Sequence, residues 1–202
     1  ACALPGTKRF MCIVRVNPAV LNNSVKQGMK SSAEMRIVME KDMLYMQEVA
    51  NGYRPDVERL IRYIPWLESK AGGDITKFYQ ENGIKDHSIS FPVYDSTLMS
   101  LVQDAKRTQL MDRNYVYLYT RKRIRTAEDE HKIIEQATIQ DMDVLKGILS
   151  KYILGGMTKG KIWSEGVNNG SILKVLLKMK EILEYWDKPI HASAAGKMWF
   201  QR

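Results

Sequence analysis

The sequence predicts a mainly helical α+β fold: a small antiparallel sheet packed against a helical bundle, with an irregular N-terminal arm. Three observations lead there. Apolar residues recur at intervals of three and four along several long segments, as they do on a helix with one buried face. Two short stretches, Ser88–Tyr94 and Tyr115–Tyr119, alternate like half-buried strands. The chain has 202 residues, 45% hydrophobic and 27% charged, enough for one domain with a real core and too apolar for a wholly disordered polymer. The expected division is a basic arm over 1–30, one globular domain over 31–188 and a tail over 189–202.

The arm carries Lys8, Arg9, Arg15, Lys26 and Lys30, and the first acid is Glu34. It opens on Ala1 rather than Met, which reads as a processed, tagged or otherwise non-native start. Phe10–Val16 suits one short strand and is too short for a secretory signal followed by a cleavage site. An acid-free, basic beginning also resembles an organellar transit segment. Ser31-Ser-Ala-Glu34 then forms a capping-box pattern that opens a helix to about Ala50, stopped by Asn51-Gly52. Met35, Met39, Met43 and Met46 share one face of it. Such a face first reads as core and second as an adaptable surface for a partner.

Pro55 starts the next helix, with Val57, Leu60, Ile61, Ile64 and Leu67 on one face and Pro65 as a kink or end. After Gly72-Gly73, Asp74 is expected to cap a short helix through Gln80. Pro92 makes Ser88–Tyr94 an edge strand. Asp95 or Ser96 caps a helix holding Leu98, Leu101, Val102 and Ala105. In the strand expected at Tyr115–Tyr119, the three tyrosines share a face. Arg121-Lys-Arg-Ile-Arg125 follows, and then the acidic Glu128-Asp-Glu130.

Thr138 and Asp141 cap a helix with Met142, Leu145, Ile148, Leu149 and Tyr152 inward, ended by Gly155-Gly156. Thr158 caps a short helix around Ile162-Trp163. From Ser171 to Trp186 the last helix buries Ile172, Val175, Leu176, Met179, Ile182 and Leu183, and Pro189 closes it.

Chemistry leaves few traces. There is no P-loop, G-x-G-x-x-G, C-x-x-C, H-E-x-x-H or G-x-S-x-G, and neither a cofactor nor a metal is expected. Asp56 with Glu68-Ser-Lys70 imitates a metal-dependent nuclease. On one helix, however, Asp56 and Glu68 stand roughly 18 Å apart, too far to share a metal. Glu128-Asp-Glu-His131 is half of a di-iron motif; His87 and His191 have no glutamate three residues before them, so it reads as a solvated acidic turn. Cys2 and Cys12 build no disulfide framework, which makes a reducing, cytoplasmic setting the default, with a single bridge between the two as the alternative.

Charge says more. The net charge is +8, from 31 Lys+Arg and 23 Asp+Glu. From Val144 to Lys180 seven lysines face one acid, Glu165. Arg121, Lys122, Arg123 and Arg125 follow three tyrosines, the pairing of cation and aromatic ring that grips phosphates and bases. Lys159 and Lys161 at a helix start, with Lys174 beyond them, extend the positive region. Lys178–Glu181 and Lys180–Glu184 have the spacing of helical ion pairs and only solvate a face.

Ile64-Pro-Trp-Leu67, Phe91-Pro-Val-Tyr94, Ile148-Leu-Ser-Lys-Tyr-Ile-Leu-Gly155, the later Gly160, Trp163, Glu165 and Gly170, and Ile172–Met179 carry a resemblance. Over roughly residues 57–186 the chain resembles a small uncharacterised bacterial family known only as a domain of unknown function (number 6508). Its members have no assigned activity, so the resemblance implies a fold and a bacterial or mobile-element setting, not a reaction. The N-terminal arm, the run at Arg121 and the tail after Pro189 depart from it.

The expectation is a non-enzymatic binding or regulatory protein whose anionic partner is nucleic acid or a ribonucleoprotein, held by Arg121, Lys122, Arg123, Arg125, Lys159, Lys161 and Lys174. The alternatives are an interaction or oligomerisation module using the methionine face, and an enzyme of unrecognised type. The latter predicts a pocket gathering several of Asp86, His87, Glu128, His131 and Glu165.

Overall fold

A computed structural model describes residues 32–72, 75–79 and 91–187, with side chains over 40–72, at 75 and over 93–187. The chain divides into two compact units, 1–44 and 45–202. In the first, the described part is helical throughout. The elements are α1 (Ser32–Ile61), α2 (Ile64–Lys70), β1 (Thr76–Tyr79), β2 (Phe91–Tyr94), α3 (Ser96–Lys106) and α4 (Tyr115–Lys122), then α5 (Ala127–Gln136), a 3-10 turn (Ile139–Asp141), α6 (Met142–Thr158), α7 (Lys161–Asn168) and α8 (Ser171–Asp187).

The fold is all-α, which corrects the α+β expectation. Strand is confined, among the described residues, to β1 and β2, an antiparallel ribbon with Thr76 opposite Tyr94 and Tyr79 opposite Phe91. A ribbon of two four-residue strands forms no layer of the core. The stretch expected as the clearest strand, Tyr115–Tyr119, is the helix α4, and β1 stands where a short helix was expected after Asp74. No helix among the described residues is long and apolar enough to cross a membrane.

Two further boundaries differ. Asn51-Gly52 does not end a helix, because α1 continues through Pro55 to Ile61. The missing donor of an interior proline costs about 3 kcal/mol. Burying Val57 and Leu60 completely just beyond it offsets that, at about 1.5–3 kcal/mol for each side chain. Pro65 instead occupies the first turn of α2, where no donor is needed. Gly155-Gly156 also fails to stop its helix, since α6 runs on to Thr158. Both glycines are buried, and a Cβ on Gly156 would overlap the Trp163 indole. Trp163 Nε1 donates to the Ile153 carbonyl at 3.1 Å, so α7 lies close against α6 because Gly156 has no side chain.

α6 is the central helix and packs against α3, α4, α7 and α8. Its buried residues lie all round it, as a core helix requires. The inward faces read from the sequence hold: Met142, Leu145, Ile148, Leu149 and Tyr152 of α6 are buried, as are Ile172, Val175, Leu176, Met179, Ile182 and Leu183 of α8. Thr138 and Asp141 form the expected reciprocal cap ahead of α6.

Candidate nucleic-acid interface

The basic run belongs to α4 and the turn after it, so the site is built by whatever fixes that short helix. Ahead of α4, the Asp112 N–H donates to Ser150 Oγ at 2.7 Å, and Ser150 Oγ donates to the Lys146 carbonyl at 2.7 Å. Leu118 lies over Gly147 of α6, where a Cβ would come within 3.0 Å of it. Tyr115 turns its hydroxyl toward Gly155. Tyr119, one turn on and on the same side, donates to Glu130 Oε1 at 2.9 Å.

Glu130 lies on α5 and is fully buried. Its Oε1 accepts from Tyr119 and from Lys151 Nζ at 2.6 Å; its Oε2 accepts from Tyr152 Oη at 2.6 Å and Ser171 Oγ at 2.8 Å. Four donors fill the four lone-pair sites of one carboxylate. Asn169 Nδ2 donates to Tyr152 Oη at 3.0 Å, and His131 Nε2 stands 3.3 Å from Ser171 Oγ. Burial, reinforced by the Glu130 carboxylate, raises both the Tyr119 and Tyr152 phenols above their ordinary range. The segment Glu128–Glu130, expected as a solvated turn, is thus the first turn of α5, capped reciprocally by Thr126 and Asp129. Glu130 ties α4, α5, α6 and α8 together.

With Tyr115 and Tyr119 drawn inward, the opposite side of α4 faces solvent. Tyr117 is 70% exposed and Val116 63%. Two residues on a helix are about 200° apart, so the three tyrosines cannot share a face as they would on a strand. Arg121, Lys122, Arg123 and Arg125 are all exposed, and none of the four makes an ion pair among the described residues. Arg121 and Lys122 suit the negative end of the α4 dipole. That does not account for Arg123 and Arg125, which lie beyond the helix. Arg123 has φ 55° and ψ 37°, the left-handed region where a glycine costs least.

Lys159, Lys161 and Lys174 do not join this group. Lys146 shares a groove with Arg121 and Lys122, and Lys159, thirteen positions on and just past the end of α6, lies roughly 20 Å from Lys146. Lys159 is exposed; Lys161 pairs with Glu165 at 3.6 Å. Lys174, which has no acid nearby in sequence, meets Glu135 of α5 at 3.8 Å. The Lys178–Glu181 and Lys180–Glu184 pairs form as spaced, at 3.0 and 3.7 Å.

Of the methionine face, Met43 and Met46 are half-buried and Met46 packs on the core, while the side chains of Met35 and Met39 lie outside the described residues. Asp86 and His87 also lie outside them. Glu128 is exposed, His131 adjoins Ser171, and Glu165 lines a cavity of about 370 Å³ beside Lys151, Tyr152 and Asn169. The sequence reads Tyr152 as core alone, Glu130 as part of a solvated acidic turn and Ser171 as the start of the last helix, while Asn169-Gly-Ser171 matches a glycosylation sequon; none of these readings joins the four residues in one cluster.

No protein-family model, curated protein or solved structure matches this chain.

Proposed function

We propose that this is a non-enzymatic binding protein whose anionic partner is nucleic acid, held at the C-terminal end of α4 by Arg121, Lys122, Arg123 and Arg125. The observation that carries this reading is that four cations crowd into five residues with no carboxylate paired to any of them among the described residues. Packing four like charges so closely is unfavourable by itself; phosphates placed among them relieve the repulsion, and the counterions a polyanion then releases add a salt-dependent gain. Arg123 in the left-handed region adds support, since backbone strain is kept where another requirement outweighs it. The bacterial or mobile-element setting implied by the resemblance over residues 57–186 belongs to the same proposal.

Salt-titrated binding to single- and double-stranded oligonucleotides tests it. The expected result is affinity that falls steeply with salt, and a shallower salt slope when Arg121, Lys122, Arg123 and Arg125 are replaced by Ala. Absence of binding at low salt overturns the reading.

A further inference from the structure

We infer that the groove beside α4 receives one unpaired base, so that the nucleic acid bound is single-stranded; this rests on the reading above and names its substrate class. The groove has a volume of about 550 Å³. α4 contributes Tyr117, Arg121 and Lys122 to it, while the 3-10 turn and the start of α6 contribute Gln140, Asp141 and Asp143.

Tyr117 is the most exposed large hydrophobic residue of the described chain and has no aromatic partner among the described residues. A ring held in water on a fixed helix is a platform on which any base can stack. Arg121 follows it by four positions, on the same face and about 6 Å along the axis, placed to take the phosphate of the stacked nucleotide. The groove's carboxylates do not consume these cations. Asp141 accepts from the Thr138 N–H and hydroxyl, Asp112 from the Asn114 N–H, and Asp143 pairs with Lys146 at 3.3 Å.

The same carboxylates decide between single and double strands. A duplex keeps its bases stacked inside, away from Tyr117, and would bring a second phosphodiester chain toward Asp141 and Asp143. A single strand can present a base edge there instead. The Asp143 carboxylate, an acceptor only and with its side chain 81% exposed, suits edges that carry amino groups, while Gln140 can donate or accept. The groove therefore favours cytosine, adenine and guanine over thymine and uracil.

The experiment measures fluorescence anisotropy of labelled oligo-C, oligo-T or oligo-U, and a mixed duplex, in DNA and RNA forms at low salt. It compares the full chain with Tyr117→Ala, Tyr117→Phe and Asp143→Asn. Expected are tighter binding of single strands than of duplex, oligo-C ahead of oligo-T and oligo-U, and a loss of about tenfold for single strands in Tyr117→Ala. Tyr117→Phe keeps the affinity, and Asp143→Asn narrows the gap between oligo-C and the other two. Because Tyr117 is exposed, Tyr117→Ala folds, which circular dichroism checks. Equal affinity for single strands and duplex overturns the inference, as does a Tyr117→Ala variant that binds like the parent. Either result leaves the proposed function standing. No binding of any oligonucleotide by the parent chain overturns both.

Discussion

Tyr119 Oη lies 2.9 Å from Glu130 Oε1, and that bond determines which way Tyr117 faces. A helix places residues four apart on one side and residues two apart on nearly opposite sides. Anchoring Tyr119 to a buried carboxylate therefore commits Tyr117 and Arg121, two positions before and after it, to solvent. Core and candidate interface are two sides of one short helix.

Replacing Glu130 by Ala leaves the Tyr119, Tyr152 and Ser171 hydroxyls without their shared acceptor and Lys151 without its counter-ion. A loss of about 3–5 kcal/mol is expected in urea unfolding. Glu130→Gln also destabilises, because its amide turns two donors toward donors. Tyr119→Phe removes one bond to the carboxylate and costs about 1.5–3 kcal/mol.

Alkaline pH attacks the same cluster. Burial and the Glu130 carboxylate raise the Tyr119 and Tyr152 phenols in the folded state above their unfolded value of about 10. The native form keeps protons that the unfolded form gives up. Stability is therefore full below about pH 10 and falls as pH rises beyond it. Tyrosinate absorbance recorded beside circular dichroism should show these two phenols ionising only as helix is lost; complete titration in a still-helical protein would contradict the cluster.

Acid acts on the α5 cap. The Asp129 carboxyl is held below the usual carboxylate range by the Arg125 and Thr126 backbone N–H groups. Its contribution is complete above the unfolded value of about 3.9 and is lost as pH falls through the lower folded value. Urea midpoints across this acid range should decline less steeply in Asp129→Ala than in the parent.

Two glycine substitutions should move stability in opposite directions. Gly52 is exposed within α1, and no neighbouring atom comes within 4 Å of where an alanine Cβ would sit, so Gly52→Ala should add about 1 kcal/mol. Gly156→Ala drives a methyl into the Trp163 ring and should cost about 1–3 kcal/mol. Thermal unfolding measures both.

Arg123 separates stability from binding. Arg123→Gly relieves a left-handed backbone worth about 1–2 kcal/mol and should raise the melting temperature. It also removes a cation from the α4 end and should weaken oligonucleotide binding, most at low salt. A variant that is stabilised and binds as before would show Arg123 to be a cap and nothing more.

Sequence pattern locates the long helices because their apolar faces repeat over many residues. The inward sets of α6 and α8 are legible for that reason, as is the Thr138–Asp141 cap. Tyr115–Tyr119 reads wrongly as a strand because five residues of alternating aromatic and aliphatic side chains satisfy a strand pattern as well as a helix pattern. Strand propensity spans only about 1 kcal/mol, and burying Leu118 and Tyr119 against α6 outweighs it. α5 carries a local signal that the acidic-turn reading passes over, Thr126 with Asp129 at capping-box spacing.

Neighbours along the chain are enough to establish that the protein is largely helical, which sides of α6 and α8 turn inward and that the cations are clustered. Packing in three dimensions was needed to show that Glu130 is a buried hub, that Lys174 meets Glu135 and that the cations near α4 stand apart from Lys159. Those outcomes join groups from separate helices, and the distance between them in space is set by packing around α6 and by no local spacing.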